Sequence, residues 1–244
     1  MRDPDEYPAP VTAESLASAV TELAEEIYQS LGIIGSGLAT LWEDLTAKAR
    51  PAPRSTDLAP LRGTIVGELE RRGELLESAG VVMADGILSD RPRHLEWWFL
   101  DAQRAPRRLM LELNPHSEYF YDYTGMEWFA IPRDQGRRWV HGPLLDYACT
   151  DQYVCTFAVP VTIAAGTFLG IAGADVPVAS IEQLLLPRFR AYDQRVVLVN
   201  SEGRVIVGTD PEFTTGSKTS RMDRPAAAVP IEATAWSLYS LGQR

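Results

Sequence analysis

The sequence predicts an α+β fold, with a long N-terminal helix followed by a curved antiparallel β-sheet and short flanking helices. Three observations carry that prediction. Apolar residues recur at helical spacing early in the chain, the period turns strand-like from Gly80 onward, and helices and strands are grouped rather than alternating. At 244 residues the chain suits one domain with extensions, or at most two small domains. The expected division is a helical region over residues 1–56, a main domain over 57–222 and a C-terminal tail over 223–244.

The helical stripe comprises Leu16, Val20, Leu23, Ile27, Leu31, Ile34, Leu38, Leu41 and Leu45, whose steps of four and three line one face. Thr12 is placed to cap it, with Glu14 in the first turn where an acid meets the positive helix end. Gly32, Gly35 and Gly37 either split this helix or let another helix approach closely. They are not a nucleotide-binding loop, because nothing before them reads as a strand. Pro51 and Pro53 then break the chain, and a second helix is expected from about Leu58 to Leu76.

Short runs at 81–86, 94–101, 108–113 and 119–124 read as strands, followed by a helical piece from Met126 to Ile131 that Pro132 ends. Two stronger strands, 153–161 and 167–172, form an expected hairpin, with Pro160 near its end where a missing donor is tolerated. Residues 181–186 read as a helix closed by Pro187. Residues 195–199 and 204–207 flank the turn-rich Asn200-Ser201-Glu202-Gly203 and read as a last strand pair.

Composition narrows the function classes. A formal net charge of −10 repels phosphate backbones and anionic bilayers, which argues against nucleic acid or membrane as direct partners. The acidic start, Arg2-Asp3-Pro4-Asp5-Glu6, is unlike an export signal, and the longest apolar stretch is far short of a membrane span, so a cytoplasmic location is expected. Cys149 and Cys155 could face each other across strands, but so small a count in a reducing compartment favours free, half-buried thiols. His94, His116 and His141 lack ligand spacing and read as surface or core residues; no metal or cofactor is expected. No nucleophile with its base stands out, so the chain is not expected to be an enzyme.

One resemblance is specific. Residues 197–206, Val-Leu-Val-Asn-Ser-Glu-Gly-Arg-Val-Ile, resemble the closing hairpin of Cache (PAS-related) ligand-sensing domains. Ala158-Val159-Pro160-Val161 followed by Gly166-Thr167-Phe168-Leu169-Gly170-Ile171-Ala172-Gly173-Ala174-Asp175 resemble their central hairpin, and the match runs on through Leu185. Order and spacing cover residues 80–210, and the upstream helix corresponds to the family's long N-terminal helix.

The resemblance implies a pocket on one face of the sheet, roofed by loops and a short helix. In the amino-acid-binding branch, Tyr121 matches a ligand-binding tyrosine, Trp128 a tryptophan, and Asp146 and Asp175 two aspartates. Met126 stands where that branch has a carboxylate-clamping arginine and Leu144 where it has a second tyrosine, for which Tyr147 or Tyr123 could substitute.

A buried carboxylate without a partner costs several kcal/mol, so the expected ligand is a cationic amine lacking an α-carboxylate. Arg133, Arg137 or Arg138 could replace the clamp, which keeps amino acids as the alternative ligand. No output pattern follows Pro211, so the expected signal passes to a separate signalling, regulatory or transport protein. The N-terminal helix would serve docking or a homodimer. A protein that keeps the fold but binds no ligand is the remaining alternative.

Overall fold

The computed structural model describes residues 11–47, 52–145, 152–219 and 227–243. Helix α1 (Ala13–Ala47) starts where expected. The Thr12 hydroxyl accepts the Ser15 N–H at 3.1 Å, and the Ser15 hydroxyl accepts the Thr12 N–H at 3.0 Å, a reciprocal cap that satisfies two end donors. Its predicted stripe from Leu16 to Leu38 is buried. The helix is continuous through its glycines and contributes to two compact units, the larger spanning residues 25–177 and the smaller combining residues up to 24 with those from 178 onward.

In the larger unit, β1 (Ser78–Met83), β2 (Leu95–Leu100), β3 (Pro106–Arg108), β4 (Trp139–Leu145), β5 (Tyr153–Thr162) and β6 (Phe168–Pro177) form one antiparallel sheet in the order β3-β2-β1-β6-β5-β4. Side chains alternate between its two faces. Phe157, Val161 and Ala172 point to the face that α1 covers: Tyr28 meets Phe157 edge-on at 5.4 Å, and a Cβ on Gly35 would lie 3.2 Å from Val161. Gly37 faces Leu61 and Thr64 of α2 (Leu61–Arg71), so two of the three glycines mark close approaches, one to a strand and one to a helix.

The opposite face carries Val82, Leu95, Trp97, Val154, Thr156 and Asp175. Trp97 and Trp98 therefore part company. Trp97 faces this side, whereas Trp98 lies on the other, under the Arg62 guanidinium of α2 at 5.0 Å.

In the smaller unit, α4 (Val178–Arg190) packs on a four-stranded antiparallel sheet of β7 (Gln194–Val199), β8 (Val205–Gly208), β9 (Ala227–Ile231) and β10 (Trp236–Gln243), ordered β8-β7-β10-β9. Asp210 is buried there, accepting from Arg195 at 2.8 Å and from the Glu212 N–H at 2.9 Å. The α+β class and the long first helix are as expected, but the strands form two sheets. The hairpin at 197–206 belongs to the smaller one.

Several local expectations change, each for a physical reason. Residues 227–243, read as a tail, hold β9 and β10; Pro230 sits on the edge strand β9, where its missing donor is tolerated. Strand β4 was not anticipated. Neither Pro132 nor Pro187 ends its helix: α3 (Glu127–Gln135) forfeits one bond at Pro132 and continues to Gly136, whose left-handed φ of 62° closes it with an N–H to the Pro132 carbonyl.

The second helix is shorter than expected, preceded by a single 3-10 turn at Ser55–Leu58. Beyond β3, residues 109–113 keep a strand-like alternation without a partner strand, and 119–124 are irregular rather than a strand. Cys155 is wholly buried on β5, which pushes its thiol pKa up; Cys149 lies outside the described residues.

Gly80 is where β1 and β2 touch most closely, because a Cβ there would collide with the Glu96 carbonyl and the Trp97 backbone. Gly80→Ala is expected to lower the unfolding free energy by about 3 kcal/mol or more in urea titrations. Gly63→Ala on α2, where a Cβ meets nothing, should instead raise it by about 0.5–1 kcal/mol.

Candidate functional site

A cavity of about 690 Å³ opens on the uncovered face of the six-stranded sheet. Its floor is set by small residues. Gly80 and Gly173 are adjacent across β1 and β6, and the far edge of the Trp97 indole fills the place a Gly173 Cβ would take, 3.1 Å from it. The indole is buried yet has its donor satisfied: Nε1 donates to the Ser78 hydroxyl at 2.8 Å.

That hydroxyl donates in turn to Asp175 Oδ2 at 2.8 Å, and Thr156 Oγ1 donates to Asp175 Oδ1 at 2.7 Å. Asp175 is half-buried, and its carboxylate is oriented by these two hydroxyls toward a lining that is otherwise largely apolar.

The roof comes from the chain between β3 and β4. After the Leu109 N–H donates to the Trp97 carbonyl at 2.8 Å, the backbone leaves the sheet, and Leu109 and Leu111 turn into the cavity as a wall. Tyr121 is tied back through its N–H to the Glu112 carbonyl at 2.8 Å, and its hydroxyl lies 3.5 Å from Met126 Sδ.

An aromatic cluster anchors this roof. Trp128, 9% exposed, meets Phe129 edge-on at 6.2 Å and Tyr123 at 6.2 Å, while Phe129 contacts Phe168 of the sheet at 6.0 Å. Tyr123 donates its hydroxyl to the Met83 carbonyl at 3.1 Å, and burial pushes its phenol up to about 12, so it remains a neutral donor.

Four of the expected residues, Tyr121, Met126, Trp128 and Asp175, thus line one cavity, together with Leu144. Asp146 and Tyr147 lie outside the described residues. Tyr123 is committed to the core rather than to the cavity.

The three candidate replacement clamps are engaged elsewhere. Arg133 pairs with Asp134 and donates to the Thr124 carbonyl; Arg137 stacks at 4.4 Å on Trp139; Arg138 pairs with Glu25 of α1 at 2.5 Å and lies over Tyr28. Each finds acid, backbone or ring partners where it is, and none lines the cavity.

Sequence reasoning missed Ser78, Thr156, Glu127 and His141. His141, read as an ordinary surface or core residue, lines the cavity with Nδ1 3.1 Å from Glu127 Oε2. The described lining contains two carboxylates, Asp175 and Glu127, and neither arginine nor lysine. Among the described residues no cluster has the ligands to hold a metal ion. No helix described is long and apolar enough to cross a membrane.

No family model matches the chain, and no curated protein matches it either. Solved structures do. A methyl-accepting chemotaxis protein X is 14% identical with a TM-score of 0.63, over 95% of this chain and 93% of that one. The ligand-binding domain of the Pseudomonas aeruginosa PAO1 amino-acid chemoreceptor PctC, in complex with GABA, is 16% identical with a TM-score of 0.60, over 94% of this chain and 96% of that one. That of PctB from the same organism, in complex with L-Arg, is 14% identical with a TM-score of 0.61, over 95% and 92%. The chain has the fold of these solved structures.

Ser78 links the indole to the carboxylate, so Ser78→Ala leaves the Trp97 N–H buried without this acceptor. The expected loss in unfolding free energy is about 1–3 kcal/mol by urea titration. Far-ultraviolet circular dichroism should stay unchanged.

Proposed function

We propose that this chain is a ligand-sensing domain rather than an enzyme. It binds a cationic amine that lacks an α-carboxylate and reports occupancy to a separate signalling, regulatory or transport protein. The observation that carries this reading is the acid of the cavity: Asp175, held in place by Ser78 and Thr156, faces a described lining with neither arginine nor lysine. An ammonium group entering there gains a charge-assisted hydrogen bond in a low-dielectric setting. The indole of Trp97 or Trp128 adds an attractive face for a cation, worth roughly 0.5–2 kcal/mol.

A carboxylate entering the same space would lose its hydration with no guanidinium to receive it, since Met126 occupies the position the resemblance assigns to the clamp. An α-amino acid is the second reading, favoured by the L-Arg named for a similar chemoreceptor domain. Under it, a carboxylate partner would have to come from outside the described lining.

Isothermal titration calorimetry with short alkylamines and with the matching α-amino acids separates the two. The expected result is that the amine binds at least tenfold more tightly than the amino acid of the same side chain. Asp175→Asn should abolish amine binding. In thermal shift, a ligand at about 100 times its Kd adds about 2.7 kcal/mol to wild-type stability. Preference for the amino acids would reverse the reading, and no binding of either would favour a fold retained for protein interaction.

A further inference from the structure

Two neighbouring rows of residues cross the sheet beneath the cavity, and they differ in bulk. In the polar row, Ser78, Asp175 and Thr156 stand side by side on β1, β6 and β5. Two residues further along the same strands, and so on the same face, the register aligns Gly80, Gly173 and Ala158 on those strands with Trp97 of β2. Three adjacent strands thus carry one methyl group between them, and the indole lies over that low ground.

The indole is fixed at both ends. Its far edge reaches Gly173, where a Cβ would stand 3.1 Å from the outer ring and 3.0 Å from Ile171 Cδ1. At the other end Nε1 donates to Ser78 Oγ, which donates to Asp175 Oδ2, each at 2.8 Å. Two short bonds sharing one oxygen keep the ring beside the carboxylate, and both residues line the cavity. A ligand held at Asp175 therefore lies against the indole, and the height of the ring above the sheet sets the room left for the ligand's body.

The two glycines are not equivalent. A Cβ on Gly80 would meet main-chain atoms, the Glu96 carbonyl oxygen and Trp97 Cα, which cannot yield without parting β1 from β2. At Gly173 two of the three nearest atoms are ends of side chains, and the third is the Phe157 carbonyl oxygen at 3.1 Å. A methyl group there is accommodated if the indole lifts. With the sheet below it, the ring can lift only into the cavity, because a close-packed interior offers no other space.

We infer that Gly173 is a specificity-determining position: its missing side chain sets the depth of the cavity under Trp97, and with it the longest apolar tail a ligand can carry. This rests on the reading of the cavity as a ligand site, and it holds for an amine or an amino acid alike. Each methylene that fits is buried and tightens binding about fourfold, and the first that does not fit ends the gain.

Isothermal titration calorimetry on the full chain with two series locates that cutoff: n-alkylamines from ethylamine to octylamine, and straight-chain α-amino acids of equal tail length. Gly173→Ala is expected to move the cutoff down by about one or two methylenes, costing the longer members about tenfold or more and the shortest less than about twofold. Adding Trp97→Phe, which removes the outer ring, should bring the cutoff back to at least its wild-type length. Trp97→Phe alone should raise it, and carries the test if urea titration shows that Gly173→Ala does not fold.

A cutoff at one length in every variant, or an equal loss for short and long members, would overturn the inference and leave the ligand reading standing. The same shifts in the amino-acid series alone would support it while reversing the amine reading. If no member of either series binds the wild-type protein, both ligand readings fall, and the size limit with them.

Discussion

Strand register in the six-stranded sheet is the constraint on which the site depends. Because side chains alternate strictly, fixing Phe157, Val161 and Ala172 against α1 also fixes Val154, Thr156 and Asp175 on the opposite face. A slip of one residue between β5 and β6 would send Asp175 toward the helix and bring Ala174 to the cavity. The register is held where slippage is most costly, by aromatic and β-branched packing under α1, so the polar row inherits its geometry from an apolar interface it does not touch.

Space for a ligand arises from what is missing at two positions. Gly80 and Gly173 lie side by side on β1 and β6: the first lets the backbone of β2 approach, and the second leaves room for the far edge of the Trp97 indole over the sheet. The indole then needs a partner for its buried N–H, which Ser78 supplies, and the same hydroxyl orients Asp175. Packing and electrostatics are joined in one residue: the group that satisfies the floor also aims the charge. The roof uses the complementary device, an aromatic cluster of Tyr123, Trp128 and Phe129 that is buried firmly enough to hold an irregular chain segment over the opening.

Much of this was legible in the sequence, and what was not depended on pairing. The stripe from Leu16 to Leu38 identified α1 because helical periodicity is local, and the hairpin of β5 and β6 stood out through its β-branched runs and turn. Tyr121, Met126, Trp128 and Asp175 were reached through family resemblance and do share a cavity. Thr156 could have been found by counting back from the hairpin turn at 163–166, since it lies opposite Asp175.

Ser78 and His141 could not, because their neighbours come from strands far away in sequence. Residues 108–113 were read as a strand, but past Arg108 the alternating Leu109, Leu111 and Leu113 serve a wall rather than a sheet. In β10 the buried set Trp236, Leu238 and Ser240 has the same period in a run too short and too near the end of the chain to stand out.

The acids of this protein fall into two kinds. Glu96 and Asp210 are buried and matched by arginine, Arg108 and Arg195 respectively, so their charge is cancelled within the fold. In such pairs, removing the arginine strands the acid in a low-dielectric interior. Asp175 is oriented by the hydroxyls of Ser78 and Thr156 at the wall of the cavity. A structural role would be served as well by the first arrangement. The second places a carboxylate at the wall of a cavity instead of sealing it in the core. The arginines gathered just across Leu95, Leu109 and Leu111 show that basic side chains are close at hand in the fold and are spent on other acids.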